Sequence, residues 1–349
     1  MNYLYRISKK ILHFKRPAKT SRGEYTTHTV WYVELRDSTN PNVLGIGECA
    51  PLPDLSCDNL PEAEYESTLD NFCKYVAKTG EIDYEGLENY PSMLFGLETA
   101  LLSAKASLSG DMMRLYDSPF SRSECSIPIN GLVWMGNKEF MLSQIETKLN
   151  EGFGCVKLKI GAIDFQEELS LLRFIRERFS PKEIELRVDV NGAFSPTDAL
   201  EKLNYLSEFS LHSIEQPIKA RQWGKMRELV EHSPIKIALD EELIGINKIQ
   251  EKAKMLDSIN PDYLVIKPSL HGGIRGTLEW IELAKERNIG YWLTSALESN
   301  VGLNAIAQLV GYLSERTEKS LMPQGLGTGK LFTDNYQDTQ LSLEGDKLW

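Results

Sequence analysis

Residues 154–161 read GCVKLKIG, an apolar, β-branched segment between two glycines that carries Lys157 and Lys159 two positions apart. Successive side chains on a strand point to opposite faces, so residues i and i+2 share one face. The two ammonium groups therefore lie side by side, where like charges repel. Either that face meets water, as on an edge strand, or something anionic stands beside it.

The neighbouring sequence favours the second explanation. Short apolar segments recur, as CSIPINGLVW, IELRVDVNGAF, LHSIEQPI, IKIALDEEL, PDYLVIKPS, IGYWLTSALES and SLMPQGLG, separated by helical stretches such as FQEELSLLRFIRERF and RGTLEWIELAKERN. With Lys159, Asp189, Glu215, Asp240, Lys267, Ser295 and Met322 as markers, the intervals are 30, 26, 25, 27, 28 and 27 residues. A constant period of this size is the mark of a repeated βα unit. Eight such strands predict an α/β fold, a (β/α)8-type TIM barrel in a modified form. No G-x-G-x-x-G or P-loop follows the first strand, so an open dinucleotide-binding sheet loses its usual site. A central barrel strand has no solvent edge on which to place two bare lysines.

Before the repeat, residues 1 to about 50 alternate as strands, with THTVWYVELRD the clearest. Two helical segments follow, each opened by Pro and closed by Gly, PEAEYESTLDNFCKYVAKTG and PSMLFGLETALLSAKASLSG. The organisation expected is an α+β capping domain over residues 1–122, a barrel over 123–322, and a segment over 323–349 that returns to the cap. Two cap stretches, KRPAKTSRGEYTTHT with Gly23 and PLPDLSCDN, are expected to cover the site as lids.

The 349 residues are 42% hydrophobic and 26% charged with a net charge of -11, which suits a folded globular chain and makes nucleic acid or an anionic membrane a poor partner. No apolar run approaches the ~20 residues of a membrane helix, and the basic first residues lack a secretory h-region. Five scattered cysteines without a C-x-x-C pair read as free thiols in a reducing, cytoplasmic setting. Oligomeric state is left open.

In a barrel of this class the active site lies at the C-terminal ends of the strands. Lys157 and Lys159 close the second strand, Asp189 the third, Glu215 the fourth, Asp240 the fifth and Lys267 the sixth. A single acid after a strand is ordinarily a helix cap or a solvated loop residue, but five consecutive repeats with charge at the matching place point to one site. Three carboxylates converging in a partly dry pocket call for a hard divalent cation, Mg2+ or Mn2+, since no His or Cys occupies a corresponding position. A neighbouring ammonium, a metal charge and desolvation all lower a lysine's pKa, which makes Lys159 the expected base with Lys157 assisting it. Arg187 and Asn191 flank Asp189 on its own face, where they either orient it or, for Arg187, pack as a paired core charge. Glu241 points away if the strand continues past Asp240. Ser295 on the seventh strand is either a contact for the end of the substrate or a plain turn residue.

Lys157-Leu-Lys159, Asp189, Glu215, Asp240 and Lys267 together resemble the enolase superfamily in its muconate-lactonizing-like subgroup. Within it, GIGECAPLP, RVDVNGAF, IEQP, ALDEEL, VIKPSLHGG, TSALESNVGLNAIAQL and GLGTGKLFTDN are most similar to the family of dehydratases that form o-succinylbenzoate in menaquinone biosynthesis. The resemblance implies a small-molecule carboxylate substrate, 2-succinyl-6-hydroxy-2,4-cyclohexadiene-1-carboxylate, a Mg2+ held by Asp189, Glu215 and Asp240, proton transfer by Lys159, and Lys267 as a facing cation. Several of these stretches are shared with N-succinylamino acid racemases and dipeptide epimerases, which use the same two lysines; the D-x-D of the epimerases is missing from MPQGLGTG.

Overall fold

The structure, a computed structural model, describes residues 2–20, 23–316, 321–336, 339 and 341–349. An antiparallel sheet comes first, with β1 (Tyr3–Thr20), β2 (Gly23–Asp37) and β3 (Leu44–Cys49) in that order. Helices α1 (Glu62–Thr79) and α2 (Pro91–Ser107) cover one face of it. The alternating glycines of β3 are what let α2 approach: a Cβ at Gly45 or Gly47 would collide with the backbone of the helix at Ala100 and Gly96. Leu94, Leu97 and Ala100 of α2 then pack with Tyr65, Leu69 and Cys73 of α1 and Val33 and Leu35 of β2.

The chain continues through β4 (Ile127–Pro128), β5 (Gly131–Val133) and α3 (Lys138–Asn150), then β6 (Cys155–Lys159) and α4 (Phe165–Arg176), β7 (Glu185–Asp189) and α5 (Ala199–Ser207). After these come β8 (Ser213–Glu215) and α6 (Trp223–His232), β9 (Ile237–Leu239) and α7 (Ile249–Ile259), β10 (Tyr263–Ile266) and α8 (Gly273–Glu286), β11 (Gly290–Leu293) and α9 (Asn300–Ser314). The strands β5 to β11 form one parallel sheet in sequence order. Each helix buries an apolar face on it, and Asn137, Asp164 and Ser299 cap α3, α4 and α9 by accepting backbone N–H bonds. Among the described residues the result is a (β/α) barrel of seven full units, fronted by the antiparallel sheet.

An eighth strand around Met322 is expected from the spacing; the chain supplies instead a two-residue bridge, and residues 317–320 of that segment lie outside the described residues. Gln324 pairs with Ile129 and Gly325 with Thr294, so the bridge joins the two edges of the curled sheet. Pro323 has no N–H to extend a ladder. The Gln324 side chain compensates, accepting from Leu293 N at 2.8 Å and donating to Met322 O at 2.6 Å. Beyond it, Phe332 bridges to Phe14 of β1, while β12 (Leu343–Glu344) and β13 (Lys347–Leu348) form a hairpin on β4.

Two buried carboxylates fasten the antiparallel sheet and α2 to the barrel. Glu48 of β3 accepts from Ser299 N and Gly302 N, both at 2.7 Å, at the start of α9; Glu98 of α2 accepts from Ile274 N at 2.5 Å and Arg275 N at 3.1 Å at the start of α8. Burial raises both carboxyls, to about 7 for Glu48 and about 8 for Glu98, against the pull of those N–H groups. A carboxyl raised in the folded state binds extra protons there, so its contribution to stability is complete below the unfolded value near 4.5 and is lost as pH rises through the folded one. Glu98→Gln is expected to flatten the fall of melting temperature between pH 5.5 and pH 8.5. Calorimetric scans across that range check it, and an unchanged slope would mean that Glu98 does not titrate there.

Candidate active site

Strand register delivers the charges to one place. Lys157 pairs with Arg187 and Lys159 with Asp189 across β6 and β7, and Asp189 pairs with Glu215 across β7 and β8. Asp240 and Lys267 each follow the last residue of their strands, β9 and β10. Five of the six are buried and the Lys267 side chain is 13% exposed.

The question raised by GCVKLKIG is answered by Asp189. Its Oδ2 lies 3.0 Å from Lys157 Nζ and 2.9 Å from Lys159 Nζ, so a carboxylate bridges the two ammonium groups. Lys157 Nζ also donates to Glu215 Oε2, and Lys267 Nζ donates to Asp240 Oδ2. Burial would raise Asp189, but the two lysines overcome it and hold the carboxyl far below its ordinary value. Asp240 is likewise held low by Lys267 against burial, whereas burial and the charge of Asp189 push Glu215 up. For Lys157 and Lys267 burial favours the neutral amine, and the facing carboxylates, Asp189 and Asp240 foremost, win and raise both.

Three carboxylates converging on one cation is the expectation; here each is matched to an ammonium, and among the described residues no group of three His, Cys, Asp or Glu side chains stands ready to hold an ion. The donor set nevertheless fits a hard cation. Glu215 Oε1 and Asp240 Oδ1 are buried oxygens without a hydrogen-bond partner in the structure, and a buried acceptor left unpaired is costly. All three side chains offer oxygen alone, the chemistry that suits Mg2+ or Mn2+.

Asn191, in the left-handed region at φ 48°, accepts from Lys159 Nζ at 3.0 Å and donates to Glu241 Oε1 at 2.9 Å, while its N–H donates to Asp189 Oδ1 at 3.0 Å. It thus holds both the acid and the amine of the pair. Glu241 faces the site because β9 ends at Leu239 and a tight turn over Glu241–Leu243 begins at Asp240. Gln216 shapes that turn, its Oε1 accepting from Asp240 N and Glu242 N at 3.2 Å each. Of the two readings of Arg187, the structure shows the paired core charge: the guanidinium turns toward the N-terminal ends of the strands, binding Glu185 Oε1 and Pro323 O at 2.8 Å each and lying 4.2 Å from the Trp292 ring. Ser295 lines the cavity, but its hydroxyl donates to Glu298 Oε2 at 2.6 Å and accepts from Leu297 N.

A cavity opens above these groups. Its polar wall includes Lys157, Lys159, Asp189, Asn191 and Lys267, with Asn130 and Thr328; its apolar wall includes Trp134, Leu132 and, from the antiparallel unit, Tyr25, Leu52 and Leu55. Both stretches expected to act as lids therefore reach it, although the tip of the first, residues 21–22, lies outside the described residues. Trp134 lies 5.9 Å from Lys159 Nζ, a neighbour that the spacing of charges did not reveal. At the closing bridge the wall is bare backbone, Gly325 and Gly327; a Cβ at Gly325 would strike Thr294 Oγ1.

Three lysines and Asp189, brought by separate βα units to one cavity with Glu215 and Asp240 buried beside them, define a barrel enzyme of the acid–base class. Residues 141–341 match the family described as Enolase C-terminal domain-like. The chain is 45% identical to the o-succinylbenzoate synthase of Desulfotalea psychrophila, covering 100% of this chain and 98% of that one. The crystal structure of MenC from Desulfotalea psychrophila matches with a TM-score of 0.80 at 41% identity over 100% of this chain and 99% of that one. A dipeptide epimerase from Enterococcus faecalis, complexed with Mg and L-Leu-L-Tyr, matches with a TM-score of 0.84 at 18% identity over 100% and 96%, a likeness of fold. The chain belongs to the enolase superfamily, in the o-succinylbenzoate synthase family.

Proposed function

We propose that this enzyme is a lyase that dehydrates 2-succinyl-6-hydroxy-2,4-cyclohexadiene-1-carboxylate to o-succinylbenzoate. The observation that carries the reading is the meeting of Lys159 and Lys267, from strands separated by β7, β8 and β9, around one cavity with Asp189 between the strands' charges. Asp189, Glu215 and Asp240 would hold Mg2+, which when bound supplies positive charge beside the substrate carboxylate.

Lys159 Nζ, oriented by Asp189 and Asn191, first gives its proton to solvent, and the neutral amine then takes the proton from the carbon bearing the carboxylate. The same amine then returns that proton to the departing hydroxyl, which leaves as water while the ring becomes aromatic. Lys267, kept protonated by Asp240 against the effect of burial, faces the developing negative charge as a cation. Trp134 and the leucines cover the ring and exclude water.

A racemase or epimerase reading uses the same lysines. A dipeptide's ammonium, however, which an N-acylamino acid lacks, needs an anionic partner in the cavity, and Asp189, already bonded to two lysines, is the one acid among the described lining residues. The closing bridge offers glycines there. Conversion of the cyclohexadiene followed at the product's absorbance, with and without EDTA, tests the proposal: turnover lost on chelation and restored by Mg2+ is expected. Deuterium appearing at the α-carbon of N-acylamino acids or dipeptides in deuterated water, with no dehydration, would overturn it.

A further inference from the structure

We infer that His271 is a positioning residue for Lys267, an imidazole acceptor standing in for a strand carbonyl that the site has given up. This rests on the reading of Lys267 as the site's facing cation. The ladder between β9 and β10 runs through Tyr263 with Ala238 and Leu264 with Leu239 and stops there. It stops because the chain leaves extended geometry at Asp240, φ -121° and ψ -79°, to turn that carboxylate and Glu241 into the site. The Lys267 N–H, just past the end of β10, consequently meets no strand partner in that ladder, and an unpaired buried N–H is costly.

His271 fills the gap. Its Nδ1 accepts from Lys267 N at 3.0 Å, and its own N–H donates to Lys267 O at 2.9 Å, so one residue holds both sides of the lysine's backbone. The ring is fully buried and does not line the cavity, so it touches no substrate; Lys267 N is its hydrogen-bond partner and Asp240 a charged neighbour. The turn that carries it is tied down twice: Gly273 N donates to Pro268 O at 2.9 Å, and Ser269 Oγ donates to Glu298 Oε1. An accepting Nδ1 requires the proton on Nε2, a buried nitrogen without a hydrogen-bond partner in the structure, so the unpaired N–H is moved from the lysine's backbone to the ring. Lysine has four rotatable side-chain bonds, and its Nζ is located only as well as its backbone is.

His271→Leu removes the acceptor at similar volume, and His271→Asn keeps one, because Asn Oδ1 occupies the place of His Nδ1. His271→Leu is expected to lower kcat about 10- to 100-fold with KM little changed, and His271→Asn to restore most of it. The wild-type tautomer, read from long-range ¹H–¹⁵N correlations of the five histidines and assigned by the signal absent in His271→Asn, is expected to carry its proton on Nε2. Full kcat in His271→Leu, equal loss in two folded variants, or a proton on Nδ1 overturns the inference. Should His271→Leu not fold, recovery in His271→Asn and the tautomer decide it. Wild-type protein inert toward the cyclohexadiene would strike the reading of the site instead, leaving the tautomer result standing.

Discussion

Lys159→Ala is expected to lower turnover of the cyclohexadiene at least about 10³-fold, since one side chain both removes and returns the proton. The loss should fall on kcat. Asp189 keeps its contact with Lys157 at 3.0 Å in the variant, so the buried carboxylate retains a cation and the fold should survive. The Glu215 and Asp240 oxygens are untouched, and Mg2+ affinity measured by calorimetry should stay within a few-fold of wild type. Lys159→Arg is expected to do no better than Ala despite its charge, because a guanidinium does not give up a proton at neutral pH. Dehydration by Lys159→Ala at more than a few per cent of the wild-type rate would remove Lys159 from its role.

Asp240→Asn is expected to raise the Mg2+ concentration needed for half-maximal activity by at least about tenfold, a loss of the size seen when a metal's surroundings are altered. A charged oxygen donor becomes a neutral one beside a cation. The same change leaves Lys267 Nζ, now bonded to Asp240 Oδ2, facing an amide in a largely buried place. Breaking one partner of a buried pair costs about 3–5 kcal/mol, somewhat less here because the amide oxygen still accepts. Melting temperature should therefore drop in metal-free protein and recover in part with excess Mg2+. A metal requirement equal to that of wild type would place the ligand elsewhere.

Much of this site is legible along the chain. Side-chain alternation and the spacing of the βα units put Lys159, Asp189, Glu215, Asp240 and Lys267 at matching strand ends, and strand ends in a barrel share a rim. Arg187 shows the boundary of that reasoning. It shares a face with Asp189 along β7, yet its long side chain runs toward the other end of the strands, to Glu185 and Pro323. Glu241 fails oppositely, since alternation assigns it away from the site and the turn at Asp240 brings it in.

Local order thus specified the repeat, the charged rim and the two lysines' shared face, because those follow from periods of a few residues. What depended on the folded chain were the groups that charge pairs with: Asp189 between two ammoniums, Lys267 against Asp240, and His271 under a lysine's N–H. The closing bridge at residues 324–325 belongs with them. Partner choice is set by which strands stop early and how the sheet curls, and distances of 3 Å between residues tens of positions apart are not written in any short window.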